Sequence, residues 1–329
     1  MKHLVLSLLL ALSLTSEAAP VAAGHELERL EVNVDAMGST YTMVLYGEDP
    51  ARLRNAADQA AEEVRRLDRM ISNYIPSSEW SQINTRAAHE PVRVSAEDFA
   101  LLSDCLEYSR LSEGAFDITV GPLMKIWGFY KGTGHLPHRA EILGALDRVG
   151  YKNILLDPKT HTVRLAREGV EIDPGGIGKG YAVDRMVEVL KQNGIASAYV
   201  SASLSSIYAL GTPPHQPGWK VSIRHPRDAN RTVADIWLKN ESMSTSGNYE
   251  KFFLAEGKMY SHIMDPRTGY PAQGTLSVSV IAPRTLDTEA WTKPFFVNGR
   301  RWAAQHKPKG FRVYFCEDKP ESNPCGWLQ

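Results

Sequence analysis

Cysteine is scarce in this chain, neither sign of charge is in excess, and long apolar runs are missing beyond the first residues. The three cysteines, Cys105, Cys316 and Cys325, have no CxxC spacing and no clustered histidines beside them. That argues against a structural zinc site. With 37 basic and 38 acidic side chains the formal net charge is −1, so no basic domain or tail is present to hold nucleic acid by bulk charge. Low hydrophobicity with high net charge, the mark of intrinsic disorder, is also missing, since 43% of the residues are apolar. The 25 glycines and 19 prolines are near average, which excludes collagen and low-complexity chains. No segment after the N-terminus approaches the 18 apolar residues of a membrane span. What remains is a soluble globular chain long enough for one large domain or two modest ones.

The N-terminus reads as a separate segment. Met1-Lys2 supplies a positive start, Leu4 to Leu14 is an apolar run, and small residues follow, with cleavage expected after Ala18 or after Ala23. The apolar core is short for a membrane anchor. Residues 1–23 are therefore expected to be a signal peptide and 24–329 one exported, periplasmic or otherwise extracytoplasmic domain. No cysteine precedes Cys105, so a lipid-modified N-terminal cysteine is excluded. In an oxidising compartment Cys316 and Cys325 could close a short C-terminal loop, while Cys105, inside a helical pattern, reads as a buried thiol.

Helix and strand signals alternate along the chain. Leu53, Ala57, Ala60, Val64, Leu67 and Ile71 recur at steps of four and three, one face of a helix. Ser95-Ala96-Glu97-Asp98 reads as a capping box before Phe99, Leu102 and Leu106. A third helix is expected from about Gly180 to Asn193, with Gly194 as its stop. Strand signals cover Tyr41 to Tyr46, Trp219 to Ile223, Val233 to Leu238 and Leu276 to Ile281, the last two with period-two alternation. No repeat or long linker divides the chain. The fold class is α+β, as one unit with two lobes.

Four local features can carry chemistry. Asp173-Pro174-Gly175-Gly176-Ile177-Gly178-Lys179-Gly180 opens into the third helix, where bare backbone N–H groups can hold phosphate. It is neither a Walker A loop nor a GxGxxG fingerprint, and a structural turn explains it about as well. Tyr260 to Gly269 gathers His262, Asp265 and Arg267; the histidine can act as a base, or the segment can be an Asp-Arg turn beside a satisfied histidine. Gly114 to Asp117, leading to Trp127-Gly128-Phe129, could cover a flat ligand or be core. Ser244-Thr245-Ser246-Gly247 offers hydroxyls at a strand end.

In this order, the segments resemble the FAD:protein FMN transferase (ApbE) family along nearly the whole mature chain. The resemblance runs from Met37-Gly38-Ser39 through Ser72-Asn73-Tyr74 with Ser78-Glu79 and Asn84. It continues through Gly114 to Asp117, Trp127 to Phe129, Asp173 to Asp184, and Thr245-Ser246-Gly247 with Tyr249, and closes on His262 to Pro271. It implies a two-lobed, mixed α/β sandwich with its site in the cleft between the lobes. It also implies a magnesium-dependent enzyme that transfers the FMN half of FAD to a threonine or serine hydroxyl of a client flavoprotein, releasing AMP. A cation on the phosphate oxygens and a nearby base would meet the charge and the proton of that reaction. Carried over position by position, the resemblance sets Met37, Tyr74, Ala115, Phe116 and Asp117 against adenine and flavin. Lys179, Arg185 and Ile263 become further FAD-facing residues, His262 the base, and the Ala182 carbonyl a magnesium ligand. The partner that the resemblance implies is a client flavoprotein of a redox complex as FMN acceptor, with no nucleic acid expected and with membranes reached only through clients.

Three departures bear on that expectation. Leu204-Ser205-Ser206 stands where the family usually has Gly-Gly-Asp. Alignment on Phe296-Val297-Asn298-Gly299 puts Glu289 and Lys293 where the family has a magnesium-binding aspartate and threonine, with Asp287 and Thr292 nearby but out of register. Magnesium demands octahedral oxygen ligation at about 2.0–2.1 Å, and an ammonium about 4 Å away would repel it by roughly 8 kcal/mol at an effective dielectric of 20. Either Lys293 points away or it replaces the metal as phosphate clamp. With Glu289, the Ala182 carbonyl and FAD's own oxygens as ligands, magnesium is expected to bind weakly to the free protein and appreciably only with FAD. Besides an active transferase, the sequence leaves room for an FAD-binding or FAD-hydrolysing relative without transfer, and for a non-enzymatic assembly module.

Overall fold

Residues 27–320 and 324–329 are described by the computed structural model, and the expected signal peptide lies outside them. Among these residues are seven α-helices: α1 (Pro50–Ile71), α2 (Glu79–Arg86), α3 (Ala96–Leu111), α4 (Gly121–Ile126), α5 (Arg139–Leu146), α6 (Gly178–Gln192) and α7 (Thr285–His306). None is long and apolar enough to cross a membrane. The Asp49 carboxylate starts α1 by accepting the amides of Ala51 and Arg52, with Pro50 at a position that has no use for an N–H. The expected stripe from Leu53 to Ile71 is buried. Each large side chain in it stabilises the fold by roughly 1.5–3 kcal/mol relative to exposure.

The start of α3 corrects the expected capping box. Ser95 Oγ does accept the Asp98 amide at 3.2 Å. The reciprocal bond, however, comes from α2, where Glu79 Oε2 takes the Ser95 amide at 2.8 Å. Asp98 is buried and accepts the Trp80 indole N–H at 2.7 Å instead. Helix α6 starts at Gly178, two residues earlier than expected, and Gly194 follows its end with φ +70°, a left-handed stop.

An eight-stranded sheet forms the centre, in the order Glu28–Ala36, Ser39–Gly47, Ser197–Ala202, Ser206–Leu210, Glu241–Gly247, Thr275–Ala282, Arg312–Glu317 and Cys325–Trp327. Every neighbouring pair is antiparallel. Helices α1, α6 and α7 cover one face through Leu67, Val187 and Phe296 against Val200, Val278 and Val280. The hairpin of Trp219–His225 and Asp228–Leu238 covers part of the other, packing Val221 and Ile236 with Ile207, Met243 and Ile281. Two-sided cover buries the strand Thr275–Ala282 on both faces. The strand read from Leu276 to Ile281 alternates apolar and polar residues, and all eight residues of Thr275–Ala282 are buried. The serines on its second face are satisfied inside the protein, as where Ser279 and Thr245 share a hydroxyl hydrogen bond of 2.7 Å.

A second lobe gathers around Leu123, Trp127, Ile142, Ala145 and Met264, which join α4 and α5 to the hairpin of Phe252–Ala255 and Lys258–Ser261. Two sequence motifs meet there: the Trp127 indole N–H donates to the Gly269 carbonyl at 2.9 Å. Gly269 has φ +77°, and a Cβ on it would come within 2.7 Å of Ile142, so that turn requires glycine. Cys316 and Cys325, paired across the last two strands, form a disulfide, and Cys105 is a buried free thiol.

Candidate active site

Between the helical layer and the second lobe lies a cleft of about 490 Å³. The turn at Met37 to Ser39, the end of α1, Ala115 to Ile118, the glycine-rich run, the strand Glu241–Gly247, His262 to Met264 and α7 all contribute to its wall. Asn73 and Asn84 hold the run in place. Their side-chain amides donate to the Ile172 carbonyl at 2.8 and 3.0 Å, and Asn84 Oδ1 accepts the Ile172 amide at 2.8 Å.

The glycines of the run serve close packing as much as any ligand. A Cβ on Gly180 would lie 2.6 Å from the Thr285 carbonyl and 2.8 Å from Glu289 Oε2, and one on Gly178 would lie 2.9 Å from Met37 Cε. The Gly180 amide donates to Glu289, and the Gly175 amide to Asp173 Oδ1 at 2.8 Å. The Tyr130 hydroxyl takes the other Asp173 oxygen. Part of the expected cradle of bare N–H groups is therefore already occupied.

Met37, Tyr74, Ala115, Phe116, Asp117, Lys179, His262, Ile263, Glu289 and Lys293 all line the cleft. Tyr74 stands 80% exposed at its rim. Asp117 has its two oxygens committed, one to the Thr119 amide (2.8 Å) and hydroxyl (2.6 Å), the other to the Tyr151 amide (2.6 Å). Burial pushes its carboxyl up to about 6 against those bonds. It fixes the loop beneath the cleft.

Two expected residues are not there. Arg185 points away, with Nε 3.2 Å from Glu63 Oε1 and Nη1 2.6 Å from Glu188, in a network that also holds Glu97. It joins α6 to α1 and α3 and does not reach the cleft. Ala182 is fully buried in the second turn of α6. Helix geometry there directs its carbonyl to the amide four residues on, and Ala182 is not among the residues that line the cleft.

His262 follows directly on the strand Lys258–Ser261. Its amide donates to the Lys251 carbonyl at 3.0 Å, and its Nδ1 lies 3.1 Å from the same oxygen. That contact assigns the proton of the neutral ring to Nδ1 and leaves Nε2 as an acceptor with no partner among the described residues. Burial, then the charges of Lys251, Lys293 and Lys179, pushes the imidazole down to about 4 despite the carbonyl bond. At neutral pH the ring is uncharged.

Three lysines surround this base. Lys179 Nζ donates to Ser205 Oγ at 2.6 Å. Lys293 Nζ donates to the Glu289 carbonyl at 2.9 Å and lies 3.8 Å from its Oε1, with burial pushing the ammonium down to about 8. Lys251 and Tyr130 were not singled out from the sequence. Neither belongs to a pattern, and both enter through long-range packing.

Each carboxylate near the expected magnesium position already accepts a hydrogen bond from the protein. Glu289 accepts the Gly180 amide, Asp184 accepts those of Thr285 and Leu286 at 2.8 Å each, and Asp287 accepts the Tyr108 hydroxyl. Thr292 Oγ1 is engaged by Ser246 and the Glu289 carbonyl, both at 2.8 Å. Among the described residues no group of three or more His, Cys, Asp or Glu is arranged to hold a metal. This donor set does not fit a resident magnesium ion.

Residues 37–315 match the model of the ApbE family. The chain belongs to that family. An ApbE relative named FAD:protein FMN transferase, from Klebsiella pneumoniae (strain 342), is 32% identical over 265 residues, 79% of either chain. Another of the same name, from Escherichia coli (strain K12), is 27% identical over 308 residues, 92% of this chain and 88% of that one. The crystal structure of the ApbE protein of Thermotoga maritima matches with a TM-score of 0.84 at 30% identity, covering 92% of this chain and 97% of its own. The apo flavinyl transferase ApbE of Pseudomonas stutzeri matches with a TM-score of 0.81 at 26% identity, covering 92% and 95%. The α+β fold is thus that of known ApbE proteins, and the relatives from Klebsiella, Escherichia and Pseudomonas are named transferases.

Proposed function

We propose that this chain is an FAD:protein FMN transferase that moves the FMN half of FAD onto a threonine or serine hydroxyl of a client flavoprotein and releases AMP. The observation that carries the reading is the pairing in one cleft of a neutral histidine, Nε2 free, with the ammonium groups of Lys179 and Lys293. The client hydroxyl oxygen attacks the FMN-side phosphorus as its proton passes to His262 Nε2. The bond to the AMP oxygen breaks, and a phosphoester joins FMN to the client. The lysines meet the charge on the phosphate oxygens. Bound pyrophosphate beside the imidazole raises its basicity toward the working range. Phe116 and Met37 give the cleft apolar surface for flat rings. Magnesium, implied by the resemblance, lacks a donor set here and enters no step.

The signal-like N-terminus and the disulfide support an exported enzyme acting on periplasmic or otherwise extracytoplasmic clients. The test is incubation with FAD and a client domain, read by intact protein mass. A client heavier by one FMN unit supports transfer. Conversion of FAD to FMN and AMP with an unmodified client would make the protein a hydrolase, and unchanged FAD would remove enzymatic function.

A further inference from the structure

We infer that Lys293 and Lys179 form a two-lysine clamp for a dinucleotide pyrophosphate, and that this clamp does the work of a divalent metal. The inference rests on the FAD-transfer reading and specifies how that site holds its substrate.

The two side chains reach the cleft from different helices. Lys179 sits in the first turn of α6, its Nζ anchored on Ser205 Oγ at 2.6 Å. Lys293 sits on α7, its Nζ anchored on the Glu289 carbonyl at 2.9 Å. Its stem lies along the glycine-rich turn, with Cε 3.6 Å from where a Cβ on Gly176 would stand. Each ammonium uses a neutral oxygen as its short anchor and keeps further N–H donors for a ligand.

The surroundings favour an anion over a second cation. Glu289 is the carboxylate next to Lys293, at 3.8 Å, and its other oxygen caps α6 through the Gly180 amide. A divalent ion at that carboxylate would face the Lys293 ammonium at close range. Asp184 and Asp287, the next acids along these helices, are spent on backbone amides and on Tyr108. A pyrophosphate between the ammonium groups meets fixed positive charge on both sides, with the start of α6 adding its dipole. Phosphate binding by lysine as a point charge needs no metal to bridge it.

The experiment is an FAD titration of the purified protein, followed by flavin fluorescence, in EDTA and in millimolar MgCl₂. Wild type is expected to bind FAD with the same affinity in both, within about twofold, and Mn²⁺ added to the FAD complex should show no protein-dependent EPR change. Lys293→Met should weaken binding by roughly tenfold or more in either buffer, and Lys293→Arg should recover part of the loss. FAD affinity that rises tenfold or more with MgCl₂ would overturn the clamp, as would Lys293→Met binding FAD like wild type. The wild-type arm stands even if a variant fails to fold. Absence of FAD binding in both buffers would instead overturn the FAD reading itself.

Discussion

Glu289 of α7 caps α6 by accepting the amide of Gly180. Asp184 of α6 returns the arrangement by accepting the first two amides of α7. The two helices that carry Lys179 and Lys293 therefore hold each other's N-termini, which fixes the spacing of the lysines across the cleft. Glu289→Ala would leave a buried N–H unsatisfied and should destabilise the protein by about 1–3 kcal/mol. Gly180→Ala, forced against the Thr285 carbonyl, should cost a similar amount through overpacking. Urea unfolding of both variants checks this, and wild-type midpoints would refute the mutual capping.

His262→Ala should spare FAD binding while lowering transfer by about 10²–10⁴-fold, the usual contribution of a general base. Fluorescence titration and single-turnover transfer separate the two effects. Equal losses in both would assign His262 to binding alone.

The depressed imidazole also predicts a pH dependence of stability. Its folded value of about 4 lies below the ordinary 6.5, so the unfolded chain binds more protons between those limits. The stabilising contribution is complete above pH 6.5 and declines as pH falls toward 4. Unfolding midpoints at pH 4.5 and 7.5 should accordingly differ less in His262→Ala than in wild type. An equal difference in the two proteins would contradict the burial of a neutral ring.

Ser203 and Leu204 occupy left-handed backbone, with φ +47° and +58°, in the turn closed by the Ser205 amide on the Ala202 carbonyl at 3.0 Å. Glycine adopts that conformation freely, whereas for leucine it costs roughly 1–2 kcal/mol. Leu204 is exposed, so Leu204→Gly loses little packing and should stabilise the protein by about 1 kcal/mol. A higher urea midpoint with unchanged slope is the expected signature.

Arg185→Ala should leave FAD affinity unchanged, because its guanidinium is tied to Glu63, Glu97 and Glu188 outside the cleft. A stability loss of about 0–1 kcal/mol is expected for such partly exposed pairs. A fall in FAD affinity without a fall in stability would return Arg185 to the site.

Local pattern carried much of this fold. The α1 stripe, the Gly194 stop and the ordered motifs could be read directly, because periodicity and turn chemistry are local properties. The position of Arg185 was also within reach. Six residues after Lys179 on an α-helix leave the two side chains about 120° apart around the axis, so they point in different directions. Glu289 and Lys293, four apart, must share one. The part that could not be read comes from distant segments. Glu79 completing the cap of Ser95, Asp184 capping α7 and the Lys251 carbonyl fixing the His262 tautomer all depend on which elements pack together.

The most direct test is the covalent state of a client incubated with FAD, resolved to the residue by peptide mass spectrometry. The account predicts one FMN on a single threonine or serine through a phosphoester, stoichiometric AMP release, and strongly reduced labelling with His262→Ala. A client that stays unmodified while wild-type protein binds FAD would contradict it.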